Sequence, residues 1–163
     1  MELKTNVMRI LDKSKITYTT HTYDGTATAN GCEVAAAVGK PCEQVFKTLV
    51  TVSKSKKNYV FVIPVCAELN LKKAAAAAGE KSIEMLPQKE LLPLTGYIHG
   101  GCSPIGMKKP FPTFIHQTAK EFPAILFSAG KIGFQVELSP DDLQKIIHFT
   151  YADLAAAEGG TEQ

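Results

Sequence analysis

The sequence predicts an α+β fold, a mixed and curved β-sheet of about seven strands surrounded by helices, in one domain. Three observations lead there. Short runs rich in β-branched and aromatic residues recur along the whole chain. Helical stretches fall among them without the regular strand–helix alternation of a doubly wound sheet. The 163 residues, 45% of them hydrophobic, suffice for one good core and contain no linker or internal repeat. The domain is expected over residues 1–158, with the "GGTEQ" tail, residues 159–163, disordered.

Each element has a local reason. Thr5 can cap a first helix whose apolar stripe is Val7, Ile10 and Leu11. "ITYTTHTYD", residues 16–24, reads as a strand and "GTATANG" as a loop; "CEVAAAVG" reads as a short helix stopped by Gly39. Pro41 then interrupts. "VFKTLVTV", residues 45–52, and "YVFVIPV" form a hairpin across the basic turn "SKSKKN". Asn70 is placed to cap an alanine-rich helix that Gly79 ends. "SIEML" is a short strand, and "PQKELLP" a helix opened by Pro87 and ended before Pro93. After the loop "TGYIHGGCSPIGMKKPFP" come the strands "TFIHQ", "AILFSAG" and "FQVEL". "SPDDLQKIIHF" has the clearest helix signals, with Ser139 and Asp142 as a capping pair and Pro140 in the first helical position.

Composition excludes several classes. A net charge of +2 gives no bulk polycationic character, so an anionic partner must be held by local clusters. Cys32, Cys42, Cys66 and Cys102 show no zinc-ligand spacing and read as reduced cytosolic thiols. The charged start lacks a signal peptide's apolar run, and no stretch approaches the ~20 apolar residues of a membrane span. The expected location is the cytoplasm. No P-loop, serine-nucleophile elbow or paired-carboxylate motif is present, and neither a metal nor a cofactor is expected.

What chemistry remains is concentrated in a few places. On a strand, Val45, Lys47 and Leu49 share one face and Phe46, Thr48 and Val50 the other. Both faces are largely apolar, so Lys47 is an ammonium group on an interior strand: a side chain that snorkels from the strand end, or a fixed charge facing a concave site. Tyr23 can stack, donate a hydrogen bond or pack in the core. In "HGGCSPIG", Gly100 and Gly101 permit close approach of a ligand and Pro104 stiffens the exit; the backbone N–H groups could form an oxyanion hole or simply a tight turn. His99 near Cys102 leaves a cysteine nucleophile open. Basic clusters at Lys54, Lys56 and Lys57, at Lys72 and Lys73, and at Lys108 and Lys109 would hold a phosphate backbone if they converge.

The stretches "KTNVMRIL", "VFKTLV", "LNLKKAA", "TGYIHGGCSPIGMKK", "SAGKIGFQVEL" and "SPDDL" follow one another as in the YbaK/EbsC family of aminoacyl-tRNA deacylases, which the chain resembles over residues 4–153. That family is similar to the editing domain inserted in bacterial-type prolyl-tRNA synthetases. The resemblance implies a strongly curved, barrel-like sheet and a freestanding editing enzyme that clears Cys-tRNA(Pro), with Cys-tRNA(Cys) as a second substrate. Prolyl-tRNA synthetase is the implied partner. It implies that Lys47 positions the aminoacylated end of the tRNA and that Tyr23, Gly100, Gly101, Cys102, Ser103, Pro104, Ser128 and Gly130 contact the substrate. No protein nucleophile is implied: the substrate's own thiol attacks its ester and leaves as a thiolactone. The family usually carries an aliphatic residue where this chain has Cys102, and a thiol is of similar size. The alternatives are a deacylase of Ala-tRNA(Pro) or another small mischarged aminoacyl-tRNA, and a non-catalytic tRNA- or synthetase-binding module of the same fold.

Overall fold

The structure is a computed structural model that describes residues 4–25 and 31–156. Most of the expected "GTATANG" loop and the whole "GGTEQ" tail lie outside the described residues.

Local signals set most elements. Helix α1 (Asn6–Lys13) starts at Thr5, whose side chain accepts a hydrogen bond from the Met8 amide, and buries Val7, Met8 and Leu11. Strand β1 (Thr19–Thr22) is shorter than the stretch predicted for it, and helix α2 (Gly31–Val38) follows. Strands β2 (Phe46–Ser53) and β3 (Asn58–Pro64) form the predicted hairpin, with Lys47 opposite Ile63. Helix α3 (Leu71–Ala78) has Asn70 accepting from the Lys73 amide and Gly79 in the left-handed conformation, φ 73°. After β4 (Ile83–Met85) comes one 3₁₀ turn and then α4 (Leu91–Thr95). This helix runs through Pro93 instead of stopping before it, because a proline in the first turn forfeits no intrahelical bond.

Strands β5 (Thr113–His116), β6 (Ile125–Ser128) and β7 (Phe134–Leu138) were all legible in the sequence. The exception is "SPDDLQKIIHF". Ser139 caps as predicted, accepting from the Asp142 amide, yet α5 is only Pro140–Leu143. The chain then forms β8 (Phe149–Ala152), which pairs in parallel with β5. Tertiary pairing overrides the local helix preference here. Strand β8 supplies bonds to an edge that β5 would otherwise leave open, and Phe149 enters the core, 4% exposed.

The described residues thus hold eight strands, not about seven, in two sheets rather than one closed barrel. One sheet is ordered β1-β7-β6 and the other β4-β2-β3-β5-β8. They meet at a single parallel bridge, Val45 to Leu126, supported by the Leu126 amide donating to the Gln44 carbonyl at 3.0 Å. The core lies between the sheets. Phe46, Val50, Val60, Val62 and Ile115 from one sheet meet Ile125, Phe127, Val136 and Leu138 from the other. The outer face carries two smaller apolar patches. Ala35 of α2 covers Val45, Val65 and Leu126, while Ala74 and Ala75 of α3 cover Phe61 and Ile63. No helix among the described residues is long and apolar enough to cross a membrane.

Candidate functional site

Strand alternation places Lys47 on the outer face of β2, between the patch under α2 and the patch under α3. It is half-buried, and no hydrogen bond or ion pair engages its ammonium among the described residues.

The sheet register shows what stands beside it. Paired residues on neighbouring strands share a face. Val45 bridges Leu126 in the parallel sense, so by alternation Lys47 and Ser128, each two residues further on, lie on the same face where the two sheets part. Ser128 is paired with Gln135, and Gln135 with His21. A polar row, Lys47–Ser128–Gln135–His21, therefore crosses β2, β6, β7 and β1 on the outer side. The next row repeats the pattern, because the Tyr23 amide donates to the Gly133 carbonyl at 3.0 Å, which carries Tyr23 onto the same face as His21.

Each member of the row has a distinct state. Ser128 is 7% exposed, and its Oγ accepts from the Gly130 amide at 3.0 Å, so its hydroxyl proton remains to be donated. Gln135 is 5% exposed and its Oε1 has no partner among the described residues. A buried acceptor left unpaired costs about 1–3 kcal/mol, so its retention points to a donor that arrives from outside the protein. His21 is occupied: its Nε2 lies 2.7 Å from Glu137, which also holds Lys40 at 3.5 Å.

The glycine–proline loop meets this row through residues 129–133. Gly130, at φ 94°, lies against the Tyr97 ring. A methyl group on Gly101 would sit 3.2 Å from the Ile132 nitrogen, so this glycine allows close approach of the protein's own backbone. Its amide donates to the Ile98 carbonyl at 3.0 Å, which removes one donor from the oxyanion hole that the sequence suggested. Gly100 stays exposed beside the Ile132 side chain. Cys102, Ser103 and Pro104 are all buried, and Ser103 accepts from the Ile105 amide. Tyr97 donates to the Ile105 carbonyl and fixes the loop from beneath; burial pushes its pKa up to about 12. Cys102 is part of the core between the sheets, and burial pushes its thiol up to about 12 as well. At neutral pH it is a protonated, packed side chain and a poor nucleophile.

A family model for the aminoacyl-tRNA editing domain matches residues 25–146, which include β2, the glycine–proline loop and β7. The chain belongs to the aminoacyl-tRNA editing domain family. This editing domain is 43% identical over 156 residues to EbsC of Enterococcus faecalis (strain ATCC 700802 / V583), named as a candidate Cys-tRNA(Pro)/Cys-tRNA(Cys) deacylase, with 95% of each chain covered. Its fold matches the crystal structure of a candidate trans-editing enzyme for prolyl-tRNA synthetase, with a TM-score of 0.80 at 23% identity over 96% of this chain and all of the other. A second crystallised protein, described only as hypothetical, gives 0.83 at 21% identity over 93% of this chain and all of the other.

Of the basic clusters of the editing domain, one lies far from Lys47 and each of the other two has a member already engaged within the fold. Lys54, Lys56 and Lys57 sit at the opposite end of β2, about 20 Å away along the strand. Lys73 is held by Asp153 at 3.1 Å, and Lys108 donates to the Pro93 carbonyl. Two cavities, of about 570 and 620 Å³, lie beside α1 and beyond the end of β3, and Lys47 lines neither. Among the described residues, no group of three or more His, Cys, Asp or Glu side chains is placed to hold a metal ion. Gln135 was missed in the sequence, although "FQVEL" carried a signal: an uncharged amide within an otherwise apolar strand has to satisfy its carbonyl somewhere.

Proposed function

We propose that this protein is a cytoplasmic trans-editing deacylase that releases cysteine from Cys-tRNA(Pro), with Cys-tRNA(Cys) as a second substrate. The observation that carries the reading is the row on the outer face, in which an ammonium without a partner among the described residues shares a face with a buried serine and an orphaned amide oxygen. The name of the EbsC relative supports the choice of cysteinyl ester.

The ammonium of Lys47 holds the aminoacylated terminus and stabilises the negative charge that develops on the ester oxygen. Gln135 Oε1 accepts a hydrogen bond from the α-ammonium of the aminoacyl group, and Ser128 donates to an ester or ribose oxygen. Tyr23 and Gly100 shape the rim, and the buried residues 101–104 support it from beneath. Held in this way, the cysteinyl thiolate attacks its own carbonyl carbon. The S–C bond forms, the bond from that carbon to the ribose oxygen breaks, and the ribose oxygen takes the proton that the thiol gave up. The products are free tRNA and a thiolactone. The protein contributes position and charge, not a nucleophile. This also resolves a specificity problem, since one methylene is worth only ~1–3 kcal/mol in a pocket whereas a reaction that requires a thiol rejects alanine and serine outright. Selection between tRNA(Pro) and tRNA(Cys) then falls to a partner, for which prolyl-tRNA synthetase is the candidate.

The test is to incubate the protein with Cys-tRNA(Pro), Ser-tRNA(Pro) and Ala-tRNA(Pro) and to follow free tRNA. Cysteinyl ester alone should be cleared, and blocking its thiol should protect it. Rapid clearance of Ala-tRNA(Pro) would instead make water the nucleophile, and salt-sensitive binding without turnover would make this a tRNA-binding module.

A further inference from the structure

The last member of the polar row, His21 of β1, has no part in the reaction as written so far. It is paired with Gln135 of β7, so the two Cα atoms lie about 5 Å apart. Thr19, one alternation earlier on β1, is paired with Glu137, which puts Glu137 on the same face. That register brings His21 Nε2 to 2.7 Å from Glu137 Oε1, while Lys40, just beyond α2, holds the other carboxylate oxygen at 3.5 Å.

An ionised carboxylate only accepts hydrogen bonds, so Glu137 fixes the neutral imidazole's proton on Nε2. Nδ1 is then the bare, basic nitrogen, and no group among the described residues bonds to it. At 20% side-chain exposure, the imidazole is not sealed off from a bound substrate. A structural ion bridge from the end of α2 to β7 needs only Lys40 and Glu137. It does not require a histidine whose orientation is set by the carboxylate and whose other nitrogen lacks a partner among the described residues.

We propose that His21 is the base of the deacylation: Nδ1 takes the proton of the cysteinyl thiol and passes it to the departing ribose oxygen, with Glu137 and Lys40 as positioning residues. The assignment rests on the deacylase reading and deepens it. The order of groups in the substrate matches the order of the row. Its ester is held by Lys47 and Ser128 and its α-ammonium by Gln135. The thiol sits one carbon beyond the carbon that bears that ammonium, and so falls to the residue paired with Gln135. The S–H bond breaks, the proton joins Nδ1 to give an imidazolium, and the sulfur electron pair forms the bond to the carbonyl carbon. Sulfur and ribose oxygen are then attached to one carbon, so a single imidazole serves both. The bond from carbon to ribose oxygen breaks, that oxygen takes the proton from Nδ1, and the imidazole is neutral again. A base positioned in this way contributes about 10²–10⁴-fold in rate.

The experiment measures kcat and KM of the full chain and of His21→Gln, whose amide can still donate to Glu137, on tRNA(Pro) charged with cysteine and with selenocysteine. A selenol ionises at neutral pH without a base. With the cysteinyl ester the variant should lose about 10²-fold in kcat at unchanged KM and Tm, and with the selenocysteinyl ester no more than about threefold. Glu137→Gln, which frees the imidazole to take the other tautomer, should show the same split in smaller measure, about tenfold for the cysteinyl ester. An equal loss on both esters would make His21 a structural member of the row, and an unaltered cysteinyl rate would remove it from the reaction. Either result overturns the assignment and leaves the deacylase standing. Wild-type protein inert toward both esters would overturn the deacylase reading and this assignment together.

Discussion

The two faces of the sheets have opposite characters. The inner face is apolar and closed: Phe46, Val50, Phe127 and Val136 interlock between the sheets at no more than 4% exposure. The outer face of the same strands carries Lys47, Ser128, Gln135 and His21 in a row where the sheets diverge. Alternation along a strand thus separates stability from chemistry by a single residue step, so neighbouring positions should fail in different ways.

The largest effect should come from the inner face. Phe127→Ala, in fully buried core, should cost about 3–5 kcal/mol and lower Tm by about 10 °C or more, measured calorimetrically. Any activity that survives in the folded fraction should keep its kcat. On the outer face of β2, Lys47→Ala should lower the deacylation rate about 10²–10³-fold while leaving Tm where it is, because no ion pair among the described residues is broken. A lysine variant that destabilises the fold and keeps its rate would invert the comparison.

Gln135→Met sharpens it further. Removing an orphaned acceptor at nearly constant volume should leave stability unchanged or raise it by about 1 kcal/mol, yet raise KM about tenfold. A drop in Tm would mean that the amide already has a partner. Cys102→Ala tests the inner thiol. It should cost about 1 kcal/mol through lost packing and leave kcat untouched, and the wild-type thiol should resist alkylation until the protein unfolds.

The smallest effect separates satisfied from unsatisfied polar groups on the outer face. His116 is 7% exposed, and its Nδ1 accepts from the Leu154 amide. Burial lowers its pKa below the usual 6.5, so the unfolded chain binds the proton more readily than the folded one. The stability it contributes is fully present above the unfolded value of about 6.5 and is lost as pH falls from there through the lower folded pKa. His116→Asn, which keeps an acceptor without a titration, should flatten the decline of Tm between pH 7 and 5, and an unchanged slope would refute this account.

Much of this was legible in the residues, element by element. Thr5, Asn70 with Gly79, and Ser139 with Pro140 announced their helix ends because caps are local hydrogen bonds. The alternation in β2 announced that Lys47 and Phe46 face opposite ways. The length of α5, the strand β8 and the division into two sheets were not legible, since each depends on which edge receives the arriving chain. The loop at residues 100–104 was only half legible. Its glycines marked close approach, but they could not say that the protein's own residues 131 and 132 are what comes close to Gly101.

By itself, then, the sequence determined the caps, the strand periods, the motifs of an editing domain and the presence of one ammonium group among aliphatic side chains, all of which are encoded within a few residues of one another. Only the tertiary structure decided that Lys47 shares a face with Ser128, that Gln135 on that face keeps an unanswered oxygen, and that Cys102 is sealed in the core. Those facts arise from strand register and from which surfaces come together, and register links residues as far as 114 positions apart, as between His21 and Gln135, where no local signal reaches.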